Sequence, residues 1–260
     1  MRTSTTLFVL SIFTMLCLTS SCSSMIECDR TEKRHAFILI DLSDKDLFSE
    51  VESDLKENFP GFMQRTGLGN ISPCESFALS IAHFGGQETL DISTQTIAIN
   101  RRGLSREEEK RLANPKPLVQ LMKNKLAEYN RLTDDPVVTS STSIANILLK
   151  SINQADLASE NVFLLMTDGV ENNAQLNLYK GLPEEAEYLE LIERLIEPSE
   201  LEAYRQHKQQ GLTAKVIMVL KSEPGGNIDR RKIKAFWISI FEGLELDYQF
   251  IDNLSNQVEL

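Results

Sequence analysis

Two aspartates far apart in the chain each stand at the end of an apolar run, and their setting suits ligands for a hard cation. Asp41 ends Ala36-Phe37-Ile38-Leu39-Ile40 and is followed by Leu42-Ser43-Asp44-Lys45, while Asp168 follows Val162-Phe163-Leu164-Leu165-Met166 within Thr167-Asp168-Gly169. Between them, Ser140-Ser141-Thr142 opens a stretch with helical apolar spacing. Carboxylates and hydroxyls are hard oxygen donors, so Asp41, Ser43, Thr142 and Asp168 converging at one edge would make a pocket for Mg2+, Mn2+ or Ca2+. The same two acids with a divalent ion could also hydrolyse a phosphoester or peptide, but nothing beyond the acids supports an enzyme. Taken singly, each aspartate could merely cap the helix after its strand, and Thr142 could be an N-cap.

Other chemistries are poorly supplied. Ser43 has three histidines to draw on, His35, His83 and His207, but no Gly-x-Ser-x-Gly turn accompanies it. A phosphate-binding glycine loop and paired Cys-x-x-Cys zinc ligands are absent. The Asp-x-Asp of an aspartyl-phosphate hydrolase is missing too, because Ser43 stands two places after Asp41. The chain holds 27 Lys+Arg against 38 Asp+Glu, a net charge of −11, which repels phosphate backbones and argues against nucleic acid as a partner.

The elements that would position these residues follow from periodicity. Ala36–Ile40, Val162–Met166 and Lys215–Leu220 are continuous apolar runs of the kind buried on both faces of a parallel sheet. Ser76–Phe84 and Thr89–Ile99 read as strands joined through Gly85-Gly86-Gln87-Glu88, a hairpin, and Leu246–Ile251 as a final strand. Helical spacing predicts helices over 44–62, from Ser105, from Pro117, over Thr142–Asn153, after Pro183, from a Ser199/Glu202 capping box to Gly211, and over Asp229–Phe241. Strands alternating with helices imply an α/β, doubly wound, mostly parallel six-stranded sheet with one antiparallel strand and helices on both faces. Ligands of such sheets bind at the carboxyl ends of the strands, where both aspartates fall.

At this point the motifs resemble those of the von Willebrand factor A family. Its metal-ion-dependent adhesion site uses Asp-x-Ser-x-Ser after the first strand, a Thr near a helix start, and the Asp of a Thr-Asp-Gly after the fourth strand. Asp41 and Ser43 match the first motif, Thr142 in Thr-x-Ile-x-x-Ile-Leu the second, and Asp168 in Thr167-Asp168-Gly169 the third. The resemblance spans roughly residues 35–255 and implies a protein-binding domain serving adhesion or complex assembly, with the partner at this edge. It departs at the motif's second serine, which is Lys45 here. A lysine has three donors and no acceptor, so Mg2+ or Mn2+ is expected to bind weakly or not at all. Either Lys45 turns outward and fewer ligands remain, or its ammonium takes the cation's place between Asp41 and Asp168. In the second case the site is vestigial and the protein structural.

The first residues suggest export. Arg2, the apolar run Leu7–Leu18 and the small residues Thr19-Ser20-Ser21 lead to Cys22, an arrangement similar to the lipobox of bacterial lipoproteins, with plain signal cleavage near Ser21 as the alternative. The expected organisation is a signal peptide over 1–21, a tether over 22–34, and one domain over 35–260 with a helical insertion at about 171–212. Its acidic helices are either a solvated face or a docking surface beside the site. Acyl chains on Cys22, worth about 0.8 kcal/mol per buried methylene, would hold the protein to a membrane in the cell envelope, facing the periplasm or the cell surface. Cys28 and Cys74 are then left, and an oxidising compartment allows a disulfide between them worth about 4 kcal/mol. The family's strand order, which makes the first two strands parallel neighbours, supports the same pairing.

Overall fold

A computed structural model describes residues 33–41, 76–84, 91–95, 142–184, 188–220 and 229–252, with single helical residues at 53, 57, 58, 61, 65 and 124. The chain divides into two compact units, Met1–Thr31 and Glu32–Leu260, and every described residue belongs to the second. In chain order the elements are β1 (Lys33–Asp41), β2 (Ser76–Phe84), β3 (Asp91–Gln95), α1 (Ile144–Asn153), β4 (Ser159–Thr167), α2 (Tyr188–Leu195), α3 (Pro198–Gln209), β5 (Thr213–Leu220), α4 (Arg230–Gly243) and β6 (Asp247–Ile251). The expected helices over 44–62, from Ser105 and from Pro117 lie largely or wholly outside the described residues. So do Ser43, Lys45, Cys22, Cys28, Cys74 and the Gly85–Glu88 turn.

The strands form one sheet in the order β3-β2-β1-β4-β5-β6. β1 runs parallel to β2 and β4, and β5 parallel to β4 and β6, while β3 runs antiparallel to β2. The central strands are apolar on both sides because both faces are covered. Phe37, Leu39, Phe163, Leu165, Val216 and Met218 point into a core shared with α1, α2, α3 and α4. Ile38, Ile40, Leu164, Met166, Ile217 and Val219 point the opposite way and are equally buried. Burial of this kind contributes about 25 cal/mol per Å² of apolar surface and is what holds the sheet centre rigid.

Parallel register decides what reaches the sheet's carboxyl edge. Ile40 pairs with Met166 across β1 and β4, so Asp41 and Thr167 arrive side by side. Thr167 pairs in turn with Leu220 at the end of β5. Lys33 is opposite Ser76, so the chain enters β1 and β2 at the same end of the sheet.

Two helix starts differ from the sequence reading. Thr142 does not begin α1: the helix runs from Ile144 with Ser143 at the N-cap position and no side-chain cap bond. The reason is that both backbone groups of Thr142 pair with Asn172 in an isolated antiparallel bridge, which holds Thr142 extended. The Ser199/Glu202 capping box does not form either, because α3 begins at Pro198 with Glu197 before it. Glu197 is fixed there from α1: its N–H donates to Asn146 Oδ1, and its carboxylate accepts from Asn146 Nδ2 and Lys150 Nζ at 3.0 and 2.8 Å. Proline at the first helical position then costs no hydrogen bond. By contrast α4 starts as its sequence implies, with Asp229 accepting from the Arg231 N–H.

Candidate functional site

The carboxyl edge of β1 and β4 is built around Thr167. Its hydroxyl donates to Asp41 Oδ2 at 2.7 Å and accepts from the Gly169 N–H at 3.0 Å. One side chain therefore ties the acid of β1 to the turn that carries the acid of β4. Asp41 is fully buried and Asp168 is 6% exposed. Asp168 Oδ1 accepts from the Val170 N–H at 2.8 Å, and Oδ2 from the Tyr179 hydroxyl at 3.2 Å. Thr142 joins the edge through its backbone bridge to Asn172, four residues after Asp168.

Gly169 explains why the motif ends in glycine. Its φ of +78° is in the left-handed region, and a Cβ there would sit 2.8 Å from Leu220 Cδ2 and 2.9 Å from Ile233 Cγ2. The turn is clamped from above as well, since the Trp237 indole N–H of α4 donates to the Gly169 carbonyl at 2.8 Å. The turn carrying Asp168 is thus fixed by backbone conformation and by the core together.

Glu171 is a site residue that sequence reasoning missed. Its side chain is fully buried, and its Oε2 accepts the Ala145 N–H at 3.1 Å, which caps α1 from across the fold. Asn173 Nδ2 donates to Oε1 at 2.8 Å. A buried acid two residues past Thr-Asp-Gly has no local sequence signature, because the helix it caps lies 26 residues upstream. Burial first, and then the charge of Asp41, push its carboxyl up from 4.5 to about 8, against the pull of the Ala145 and Ile144 amides and Asn173. The folded protein therefore holds this proton more tightly than the unfolded chain. Its contribution to stability is complete below pH 4.5 and is lost as pH rises toward 8. In Glu171→Gln, the fall in urea midpoint between pH 5 and 8 should flatten relative to the parent; an unchanged slope would show that Glu171 does not titrate there.

The donor types at this edge are hard oxygens of the kind a divalent cation takes: the Asp41 and Asp168 carboxylates and the Thr167 hydroxyl on Asp41. Among the described residues, no group of three or more His, Cys, Asp or Glu able to hold a metal occurs. His35, the described histidine of the first strand, is at the other end of β1, roughly 20 Å from Asp41 at about 3.3 Å per residue. It lies 2.7 Å through Nε2 from Ser80 Oγ and stacks on Phe37, a core role.

Fold and site together define an α/β domain with a mostly parallel sheet and an acid-bearing carboxyl edge. No protein-family model matches the chain, and no curated protein matches it. Solved structures do. A pilus adhesin, SpaC from Lactobacillus rhamnosus GG in its open conformation, is 13% identical with a TM-score of 0.43, covering 86% of this chain and 28% of that one. The manganese-loaded TRAP protein of Plasmodium vivax is 14% identical with a TM-score of 0.39, covering 85% and 69%. Proximal thread matrix protein 1 from the mussel byssus is 14% identical with a TM-score of 0.35, covering 86% and 45%. The chain spans less than half the length of the first and last of these.

Proposed function

We propose that this chain is a binding module of the von Willebrand factor A type, displayed on the cell envelope, whose Asp41/Ser43/Thr142/Asp168 edge receives a protein partner in adhesion or complex assembly. The observation that carries this reading is the Thr167 hydroxyl bonded to Asp41, which holds the two acid-bearing strand ends as one structure. Both acids are buried at the edge where ligands of such sheets bind. The motif order Asp41, Ser43, Thr142, Asp168 adds to it, as does the parallel pairing of β1 with β2 that the family's topology implies. Asp41, Ser43, Thr142 and Asp168 would hold Mg2+ or Mn2+, which supplies a positive charge able to accept a carboxylate from the partner. Lys45 weakens that affinity, so the site is degenerate. Catalysis has no part in this proposal: the residues bind and orient rather than transfer a group.

The anchor is the acylated Cys22, and Cys28 pairs with Cys74. The shared entry end of β1 and β2 favours that disulfide, since Lys33 lies opposite Ser76. The acidic stretch of α2 and α3 is read as a solvated face: α3 ends just before β5 enters the sheet, and its Lys208 pairs with Glu245 ahead of β6, away from the carboxyl edge. Among the described residues no helix is long and apolar enough to cross a membrane.

Crosslinking in native membranes, with affinity isolation of the parent and of Asp168→Ala, tests the reading. The parent should capture a discrete partner that Asp168→Ala loses by tenfold or more, about 1.4 kcal/mol. Equal capture by a folded Asp168→Ala protein would remove this edge from the binding surface.

A further inference from the structure

The segment between Asp168 and α2 is built to place one aromatic side chain. Leu178 N–H donates to the Glu171 carbonyl at 2.9 Å, and Asn172 bridges both Thr142 and Asn177. Asn173 Oδ1 accepts the N–H groups of Gln175 and Leu176, each at 2.9 Å, closing the turn between them. Leu178 is fully buried and anchors the short 3₁₀ turn Leu178–Lys180. Tyr179, the next residue, is 46% exposed, yet its hydroxyl reaches Asp168 Oδ2 at 3.2 Å. A half-exposed ring whose hydroxyl bonds a nearly buried carboxylate is an arrangement that core packing alone does not explain.

We propose that Tyr179 gates the site: its hydroxyl holds Asp168 Oδ2 in the cation-free protein and must swing away when a divalent cation takes that oxygen. This inference rests on reading the edge as a hard-cation site. The Val170 amide and the Tyr179 phenol differ in what they can do at Asp168. The Val170 N–H on Oδ1 is backbone, set in the turn that Gly169 and Trp237 fix, and stays in place. The phenol on Oδ2 sits on a half-exposed side chain outside that turn, so its hydroxyl is the donor that can yield the oxygen. A phenol O–H directs the positive end of its dipole at the carboxylate oxygen, so a cation approaching that oxygen meets repulsion until the hydroxyl leaves. Tyr179 is a positioning residue here, acting on the cation through Asp168.

The test compares Mn2+ titrations of the full chain by calorimetry in the parent, Tyr179→Phe and Asp168→Ala, repeated in a Lys45→Ser background where affinity is higher. Phenylalanine keeps the ring and removes only the hydroxyl. Tyr179→Phe should bind Mn2+ about fivefold more tightly, the worth of one modest hydrogen bond. In the parent, Mg2+ should also shift the amide resonances of 178–181, and this response should vanish in the Phe variant while its urea midpoint stays near the parent's. Equal or weaker affinity in Tyr179→Phe, with Asp168→Ala abolishing binding in both backgrounds, would overturn the gate and leave the cation site standing. If neither the parent nor Lys45→Ser binds Mn2+ through Asp168, the cation reading fails and the gate with it.

Discussion

Gly169→Ala should lower folding stability by about 3 kcal/mol, from a left-handed penalty of about 1–2 kcal/mol together with overpacking of similar size. The left-handed part follows from φ of +78°, which an L side chain adopts at a cost. The packing part follows from Leu220 Cδ2 and Ile233 Cγ2, both under 3.0 Å from the added methyl and both in buried side chains. Relief would require β5 and α4 to separate, and α4 is held to this turn by the Trp237 N–H. Trp237 is the chain's single tryptophan, so its fluorescence during urea unfolding reports on the affected contact directly. The damage should extend to function, because the same turn presents Asp168. A loss below about 1 kcal/mol, the ordinary cost of a point substitution, would mean that the turn relaxes and does not brace the site.

Lys45→Ser should raise Mg2+ or Mn2+ affinity tenfold or more, a gain of about 1.4 kcal/mol. Serine offers a hydroxyl oxygen where lysine offers only donors, and the change removes a positive charge four positions after Asp41. Two unit charges about 4 Å apart repel by about 4 kcal/mol at an effective dielectric near 20, and a divalent ion doubles that, so tenfold is a conservative expectation. Calorimetric titration of the two chains checks it. Equal tight affinity in both would show that Lys45 does not oppose the cation, and the term degenerate would no longer describe the site.

The sheet was legible because its central strands are uniform apolar runs, a pattern that buried parallel strands need and that few other elements share. Ala36–Ile40 and Val162–Met166 appear within β1 and β4, and the structure lengthens both by including polar residues at their ends, such as Lys33 and Ser159. Asp41 and Asp168 were legible for the same reason, as polar residues at the ends of apolar runs. Helix starts were less so. Thr142 and Ser199 carry cap-forming side chains, but the positions are decided by partners distant in sequence, Asn172 for one and Asn146 with Lys150 for the other. Glu171 and Tyr179 were invisible on the same principle. Each matters through a contact with another element or turn, Ala145 for one and Asp168 for the other, and local spacing carries no trace of such contacts. Thr167 was read only as part of Thr-Asp-Gly, and its link to Asp41 became apparent from the register of β1 on β4.

Manganese relaxation measurements on the isotopically labelled protein would locate a cation at the carboxyl edge of β1 and β4, since weak binding in fast exchange still broadens nearby amides. Substoichiometric Mn2+ should selectively broaden Asp41, Thr142–Ala145 and Thr167–Glu171, and Asp168→Ala should remove the effect. Broadening concentrated on the acidic helices Tyr188–Leu195 and Pro198–Gln209, with the Asp41 and Asp168 amides untouched, would contradict a cation site at that edge.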